Sequence, residues 1–207
     1  MLAATLIAGL GTVLPVKAAE AFSADAVKAA FLYRFAGYVE WPQSAAPDRE
    51  ITIAVMGSDK VAAELRKLLP ERPAPNQPTQ IRTIGNIRQL GGARILYIGT
   101  DFRGDLGSVI ASIGAQPVLV VTDHDGGLDE GGAVNFLLVD RRLRFEVSLA
   151  AAERAGLKIS SELLSVAVRV QGGRARWDPS HILSRMVAWV ATFNGPLPRG
   201  ATRGGLP

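Results

Sequence analysis

Residues 131–170 read GGAVNFLLVDRRLRFEVSLAAAERAGLKISSELLSVAVRV, and this stretch decides the fold. Two apolar runs rich in β-branched residues, 133–139 and 143–149, flank the polar tripeptide Asp140-Arg141-Arg142. Strand-forming runs separated by so few polar residues are typical of a hairpin. The stretch therefore predicts two antiparallel strands joined by a short turn.

Apolar side chains alternate along the second predicted strand with three polar ones, Arg144, Glu146 and Ser148. Because successive side chains of a strand point to opposite faces, one face can be buried while the other meets water or a partner. The pattern predicts a partly exposed strand at an edge of the sheet.

Two helices are predicted after the hairpin. Ser148 can accept a hydrogen bond from the free backbone N–H groups that open a helix over residues 150–155, and Gly156 supplies a left-handed stop. Ser160 or Ser161 then precedes apolar residues at helical spacing, which predicts a second helix to about Val170.

Upstream of this stretch, predicted strands alternate with predicted helices. The strands cover residues 51–56, 79–84, 93–98 and 117–122, and the helices cover residues 24–39, 61–69 and 101–113, with a short helix at 86–90 and an extended, proline-rich loop at 70–78. Such alternation predicts an α/β three-layer domain. We expect a mostly parallel sheet flanked by helices, with the antiparallel hairpin near its C-terminal side.

The N-terminal end differs from this domain, which is assigned to residues 22–170. Residues 1–21 contain an apolar run of about a dozen residues followed by small residues around Lys17 and Glu20, which predicts a secretory signal peptide. A retained N-terminal helix is the alternative. The run is short for a membrane span, which needs about 20 apolar residues.

Residues 171–207 form a predicted C-terminal extension. Asp178-Pro179 opens an amphipathic helix whose apolar face consists of Ile182, Leu183, Met186, Val187, Trp189 and Val190. The helix is too short to cross a bilayer, so it docks on its own domain, on a second copy in a homodimer, or on a membrane surface beside the flanking arginines. Residues 197–207, rich in glycine, proline and arginine, are predicted to be disordered.

The net charge of +4 lies outside the predicted domain. Residues 171–207 hold five arginines and one aspartate, which is the whole excess, while residues 1–21 hold one lysine and one glutamate. A neutral domain does not favour nucleic-acid binding, which needs a basic face. The absence of cysteine excludes disulfides, zinc–thiolate sites and thiol nucleophiles.

The loops after the parallel strands are where an α/β sheet usually binds ligands. Asp123-His124-Asp125 could bind a divalent metal, but adjacent side chains point apart and a polar turn is the stronger interpretation. Ser58, His124 and Asp101 could form a hydrolytic triad, yet no Gly-x-Ser-x-Gly elbow presents the serine. Phosphate-loop and receiver patterns each lack their lysine. We therefore predict no catalytic residue, no cofactor and no metal.

Several short motifs together resemble the YfiR family of exported bacterial proteins. The matching pieces are Ala29-Ala30-Phe31-Leu32-Tyr33-Arg34-Phe35, Glu40-Trp41-Pro42, Gly131-Gly132, Asn135-Phe136, Arg144-Phe145-Glu146, Ala151-Ala152, Ala155-Gly156-Leu157, and Ile159-Ser160-Ser161 followed by Leu163-Leu164. They lie within residues 26–170. Their order and spacing, rather than any one piece, make the resemblance specific.

The resemblance implies a periplasmic, non-enzymatic repressor that binds the extracytoplasmic sensor part of an inner-membrane diguanylate cyclase and keeps cyclic-di-GMP output low. Similar proteins often carry cysteines that make repression redox-sensitive; this chain has none, so a thiol switch is not carried over. Ser148 stands where asparagine is usual, a change between two helix-capping residues. A membrane-bound sensor kinase is a second candidate partner. A small-molecule-binding or envelope-assembly module is the alternative function.

The candidate partner surface consists of Arg141, Arg142, Arg144, Phe136 and Leu138. Arginines beside apolar side chains are a composition that protein interfaces favour. Charged residues on an edge strand also prevent aggregation between sheets, which is the competing interpretation.

We expect the mature protein to begin between Ala19 and Phe22 and to be recovered from the periplasm, because signal peptidase cleaves after small residues. Mass spectrometry of a periplasmic extract identifies the N-terminus directly. A full-length species retained in the membrane contradicts this prediction.

Overall fold

The computed structural model describes residues 23–42, 50–71 and 78–172. The helices are α1 (Ala24–Phe35), α2 (Asp59–Glu71), α3 (Leu106–Ile113), α4 (Leu149–Arg154) and α5 (Ser161–Leu164), with a 3₁₀ turn at Ile87–Gln89. The strands are β1 (Val39–Glu40), β2 (Ile51–Met56), β3 (Thr79–Thr83), β4 (Ile95–Ile98), β5 (Leu119–Thr122), β6 (Val134–Val139), β7 (Arg142–Ser148), β8 (Lys158–Ile159) and β9 (Arg169–Gln171). Within these residues no helix has the length and apolar character that a membrane crossing requires.

Seven strands form one sheet in the order β3-β2-β4-β5-β6-β7-β9. Neighbours run parallel from β3 to β6, β6 and β7 run antiparallel, and β9 runs parallel to β7. Strands β1 and β8 form a separate antiparallel pair. Helices cover both faces of the large sheet. The predicted α/β class, the mostly parallel sheet and the hairpin are confirmed.

Helix α1 packs on one face of the sheet through its aromatic side chains. Ser23 caps the helix by accepting a hydrogen bond from the backbone N–H of Ala26 at 3.1 Å. One helical turn apart, Phe31 and Phe35 each meet Phe136 of β6 and Phe145 of β7, with ring centroids separated by 5.4–6.0 Å. These four rings, the aromatic cluster, are at most 2 % exposed and join the start of the domain to its hairpin.

The opposite face of the sheet is covered by α3 and the 3₁₀ turn. Leu96 and Ile98 of β4 face this side, whereas Ile95 and Tyr97 face α1. The central strand β4 is therefore buried on both faces, as expected of a parallel strand between two helical layers.

Strand β7 is an interior strand and not the predicted edge strand. It lies between β6 and β9, and β9 is built from residues predicted to end a helix. The polar face of β7 is also buried, since Arg144, Glu146 and Ser148 are between 5 % and 7 % exposed. The prediction was wrong because alternation identifies the two faces of a strand but not what covers each of them.

Several predicted helix boundaries also require correction. Helix α1 ends at Phe35 because residues 39–40 pair with β8, and α3 begins only after its cap Asp105. Helix α5 ends at Leu164, where the chain turns toward β9. Helix α2 continues through Pro70 to its end, so the predicted loop begins later, and residues 72–77 lie outside the described residues.

The capping signals around α4 and α5 are confirmed. Ser148 and Ser160 each accept a hydrogen bond of 3.3 Å from the backbone N–H three residues later. Gly156 has φ +68°, the left-handed conformation predicted for it. The predicted signal peptide and C-terminal helix lie outside the described residues.

Replacing either ring of α1 in the aromatic cluster should destabilise the fold. Phe31→Ala and Phe35→Ala are each expected to lower the free energy of unfolding by about 3–5 kcal/mol, because each truncation leaves a cavity in a packed core. Urea denaturation measures the loss. Leu138→Ala is the control and should change stability by less than about 0.5 kcal/mol, since Leu138 is exposed. If Phe31→Ala has the same free energy of unfolding as the wild type, the aromatic cluster is not structural.

Candidate functional site

The end of the β6–β7 hairpin, residues 138–142, is here named the hairpin tip. Leu138 is 69 % exposed and Val139 is 36 % exposed, and they are the only large hydrophobic residues exposed in the described part of the chain. Arg141 and Arg142 beside them are exposed as well. Apolar side chains next to arginines on an open surface are typical of a protein interface.

The turn at the tip has an unusual backbone. Val139 pairs with Arg142, so Asp140 and Arg141 form a two-residue loop. Their φ angles are +50° and +60°, which are left-handed values that a hairpin loop of this length favours. Glycine and asparagine are the usual residues there, and arginine adopts this conformation only at a cost of about 1–2 kcal/mol. Arg141 therefore lies in the loop at the outer end of the hairpin.

Two of the five predicted surface residues lie elsewhere. Phe136 is only 2 % exposed and belongs to the aromatic cluster, so it is not a surface residue. Arg144 is 7 % exposed on the opposite face of the sheet. Burial, and then the nearby charge of Arg142, lower the pKa of its guanidinium. The tip therefore brings together Leu138, Arg141 and Arg142 from the predicted set, and Val139 is added to them.

Below the tip, the polar face of the hairpin holds a buried hydrogen-bond network that sequence reasoning missed. Asn135 Oδ1 accepts from Thr122 Oγ1 at 2.8 Å and from the backbone N–H of His124 at 3.3 Å. The Asn135 amide donates to Glu146 Oε1 at 3.0 Å, and Arg169 Nε donates to Glu146 Oε2 at 2.7 Å. The network thus ties β5, β6, β7 and β9 together in order across the sheet.

Two glycines give this network its space. The position that a Cβ of Gly127 would occupy is 2.6 Å from Asn135 Oδ1, and that of Gly132 is 2.8 Å from the Gly127 carbonyl oxygen. Side chains at either position would displace the asparagine or the loop. Glycines next to an asparagine on a predicted strand are the sequence signal that could have indicated the network.

The loops at the carboxyl ends of the parallel strands hold the polar residues considered for metal binding or hydrolysis. The Asp123 carboxylate forms an ion pair of 2.5 Å with Lys28 of α1 and accepts from the Tyr97 hydroxyl at 3.1 Å. Burial, and then the Asp123 charge, raise the pKa of Tyr97, so its hydroxyl remains a donor. These contacts fasten the first turns of α1 to the sheet.

The remaining polar residues at this end of the sheet also make structural contacts. His124 Nε2 lies 3.0 Å from the Gly99 carbonyl oxygen, and the Ser58 hydroxyl accepts from Val61 N at the start of α2. In the described ranges, no three side chains of the metal-ligating types come together. Asp123 and His124 are thus held by Lys28, Tyr97 and the Gly99 carbonyl oxygen.

A family model described as YfiR/HmsC-like matches residues 25–168. Among solved structures, the chain is similar to a conserved domain protein from Vibrio cholerae O1 biovar El Tor strain N16961, with 11 % identity, 72 % of this chain and 60 % of that chain covered, and a TM-score of 0.47. It is also similar to the ABC domain in complex with L-Trp from Streptococcus pneumoniae, with 10 % identity, coverage of 58 % and 55 %, and a TM-score of 0.40. The chain thus spans less than two thirds of either protein. No curated protein sequence matches it.

Replacing Asn135, at the centre of the network, should lower the free energy of unfolding more than replacing Thr122, at its end. Asn135→Leu is expected to lower the free energy of unfolding by at least about 2 kcal/mol, because the Glu146 carboxylate loses a buried donor and the Thr122 hydroxyl keeps only its longer bond of 3.4 Å to the Val134 carbonyl oxygen. Thr122→Val should cost about 1 kcal/mol, since Asn135 Oδ1 keeps the His124 N–H. Urea denaturation compares the two variants, and equal losses would contradict the role of Asn135.

Proposed function

The chain belongs to the YfiR/HmsC-like family, and from this membership we propose that it is an exported, non-enzymatic regulator that binds the periplasmic sensor part of an inner-membrane signalling protein. The partner proposed first is a diguanylate cyclase, which the bound regulator holds at low output. The family match over residues 25–168, nearly the whole described domain, is the observation that carries this class of function.

We assign partner binding to the hairpin tip. Leu138 and Val139 supply apolar area, and Arg141 and Arg142 supply charge and several hydrogen-bond donors on the same protrusion. An exposed leucine loses contact with water when a partner covers it, which favours association. Arginine beside such a residue adds hydrogen bonds to carboxylate and carbonyl oxygens, so a sensor surface that is apolar and acidic fits this tip.

The hairpin that carries the tip is held on both faces, which suits a binding surface. The aromatic cluster holds one face of the hairpin, and the Asn135–Glu146 pair holds the other. A protrusion on a rigid base loses little conformational entropy when it binds, and this increases the affinity that a small contact area can provide. The left-handed backbone conformation of Arg141 is consistent with this role, because backbone strain persists at positions where the side chain is needed.

Repression follows if the regulator binds one state of the sensor more tightly than the other. A partner that contacts only the inactive arrangement shifts the population of the sensor toward that arrangement. The regulator then needs no catalytic group, and its effect on cyclase output is limited by its difference in affinity for the two states.

Arg141→Gly is expected to change stability and binding in opposite directions. Glycine relieves the left-handed strain, so unfolding free energy should rise by about 0.5–1 kcal/mol. Loss of the guanidinium should weaken binding to the periplasmic sensor domain of the proposed diguanylate cyclase partner by at least about tenfold. Thermal melting and a pull-down measure the two effects. Asp140→Gly is the matched control, because it relieves strain in the same turn and retains the arginine.

Charge reversal distinguishes partner binding from the competing interpretation, in which the arginines protect the sheet against aggregation. Glutamate protects a surface from aggregation as well as arginine does, so Arg142→Glu should weaken binding only if Arg142 contacts the partner. Arg88→Glu, at an exposed position on the 3₁₀ turn, is the control for the change in net charge. Cyclic-di-GMP measured in the same strains should rise with Arg142→Glu and stay constant with Arg88→Glu. Unchanged binding and nucleotide level would remove the tip from the interface.

A further inference from the structure

The β6–β7 hairpin extends past both strands that flank it in the sheet. Strand β6 pairs with β5 only as far as Asn135, and β7 pairs with β9 only from Glu146 onward. On the β7 side, the Val168 N–H donates to the Phe145 carbonyl oxygen at 2.9 Å, so the chain before β9 continues along that edge. On the β6 side, no described strand pairs with residues 137–139. The last part of β6 is therefore an open edge of the sheet.

The hairpin register shows which backbone groups face this edge. Cross-strand hydrogen bonds of an antiparallel pair join every second residue of each strand. A two-residue loop closes on a hydrogen-bonded pair, here Val139 and Arg142, and the bond from the Ser148 N–H to the Ala133 carbonyl oxygen belongs to the same series. Leu138 lies between two bonded positions, so its N–H and C=O point away from β7. Among the described residues, no group hydrogen-bonds to the Leu138 backbone.

The side chains along this edge are open as well. Leu138 is 69 % exposed, whereas its cross-strand partner Leu143 on β7 is 8 % exposed and belongs to the core. An unpaired apolar edge is a site where another strand can add, and proteins usually block such edges with charged residues or proline. Residues 137–139 are Leu-Leu-Val and contain neither. The open part of β6 is therefore suited to pairing with another strand.

We propose that an extended segment of the partner adds to the sheet as a strand along the open edge of β6; this inference rests on the proposed function of the hairpin tip. The backbone of the segment hydrogen-bonds to the N–H and C=O of Leu138. An apolar side chain of the segment covers Leu138, because opposite residues of neighbouring strands lie on the same face. An acidic side chain nearer the loop pairs with Arg141 or Arg142. Main-chain bonds then provide affinity, and the alternate side chains provide specificity.

A single segment of a partner is favoured over a second copy of this chain because the open edge is short. In a symmetric antiparallel pair centred on Leu138, Arg141 of each copy would lie opposite Asn135 of the other. Thr122 of β5 already occupies that position beside Asn135. A partner segment avoids this collision because it can leave the sheet after a few residues.

Leu138→Pro and Leu138→Ala, each in the full chain, separate backbone pairing from side-chain contact. Both remove the leucine side chain, but only proline removes the N–H. Proline is tolerated on an edge where its nitrogen faces outward, so both variants should fold, and thermal melting checks this. Calorimetry measures binding to the periplasmic sensor domain of the proposed diguanylate cyclase partner. Leu138→Pro should bind at least about tenfold more weakly than Leu138→Ala, because a carbonyl oxygen of the partner segment loses its donor.

Amide exchange resolved by residue provides a second test that needs no substitution. The Leu138 N–H should exchange at least about tenfold more slowly in the complex than in the free chain, because strand pairing protects it. The Leu143 N–H points to the opposite edge of the hairpin and is the internal control, so its exchange should not change. Protection of Leu143 without protection of Leu138 would assign the partner to the β7 edge and overturn the proposal.

The outcomes distinguish failure of this inference from failure of the proposed function. If Leu138→Pro and Leu138→Ala bind equally while Arg142→Glu binds more weakly, strand addition is overturned and the tip remains an interface of side chains. If the wild-type chain does not bind the sensor domain, the proposed function is overturned and this inference with it. A wild-type dimer in light scattering that becomes a monomer in Leu138→Pro would assign the edge to a second copy and overturn the proposal.

Discussion

The contact between α1 and the hairpin is the interaction on which the rest of the structure depends. Phe31 and Phe35 from the start of the domain pack on Phe136 and Phe145 from its far end, with edge-to-face contacts of 5.4 Å on Phe145. Phe136 and Phe145 are also direct cross-strand partners. A slip of one residue in the β6–β7 register would turn one of these rings to the polar face, so the cluster fixes the register as well as the packing.

The register in turn determines the chemistry of the opposite face. With Phe136 paired to Phe145, Asn135 is paired to Glu146, and both side chains point away from the aromatic cluster. Their 3.0 Å hydrogen bond, extended by Thr122 on one side and Arg169 on the other, satisfies polar groups that would be costly to bury alone. The hairpin is therefore held on both faces near its base, and its tip lies beyond the residues that pair with β5 and β9.

Polar residues at the carboxyl ends of the strands contribute to the same arrangement. Asp123 holds Lys28 and Tyr97, and His124 contacts a backbone carbonyl oxygen. These contacts fasten α1 to the position from which its phenylalanines reach the hairpin. The proposed function then uses a surface that the core presents.

The sequence by itself determined the elements whose signals are local. The turn between β6 and β7, the caps Ser148 and Ser160, and the stop at Gly156 all depend on residues within a few positions of one another, and the structure confirms them. Only the tertiary structure decided that β7 is an interior strand, that Phe136 and Arg144 are buried, and that Asn135 bridges Thr122 and Glu146. The physical reason is distance along the chain: Arg169 is 23 residues from Glu146, and no periodic pattern reports which remote group satisfies a buried carboxylate.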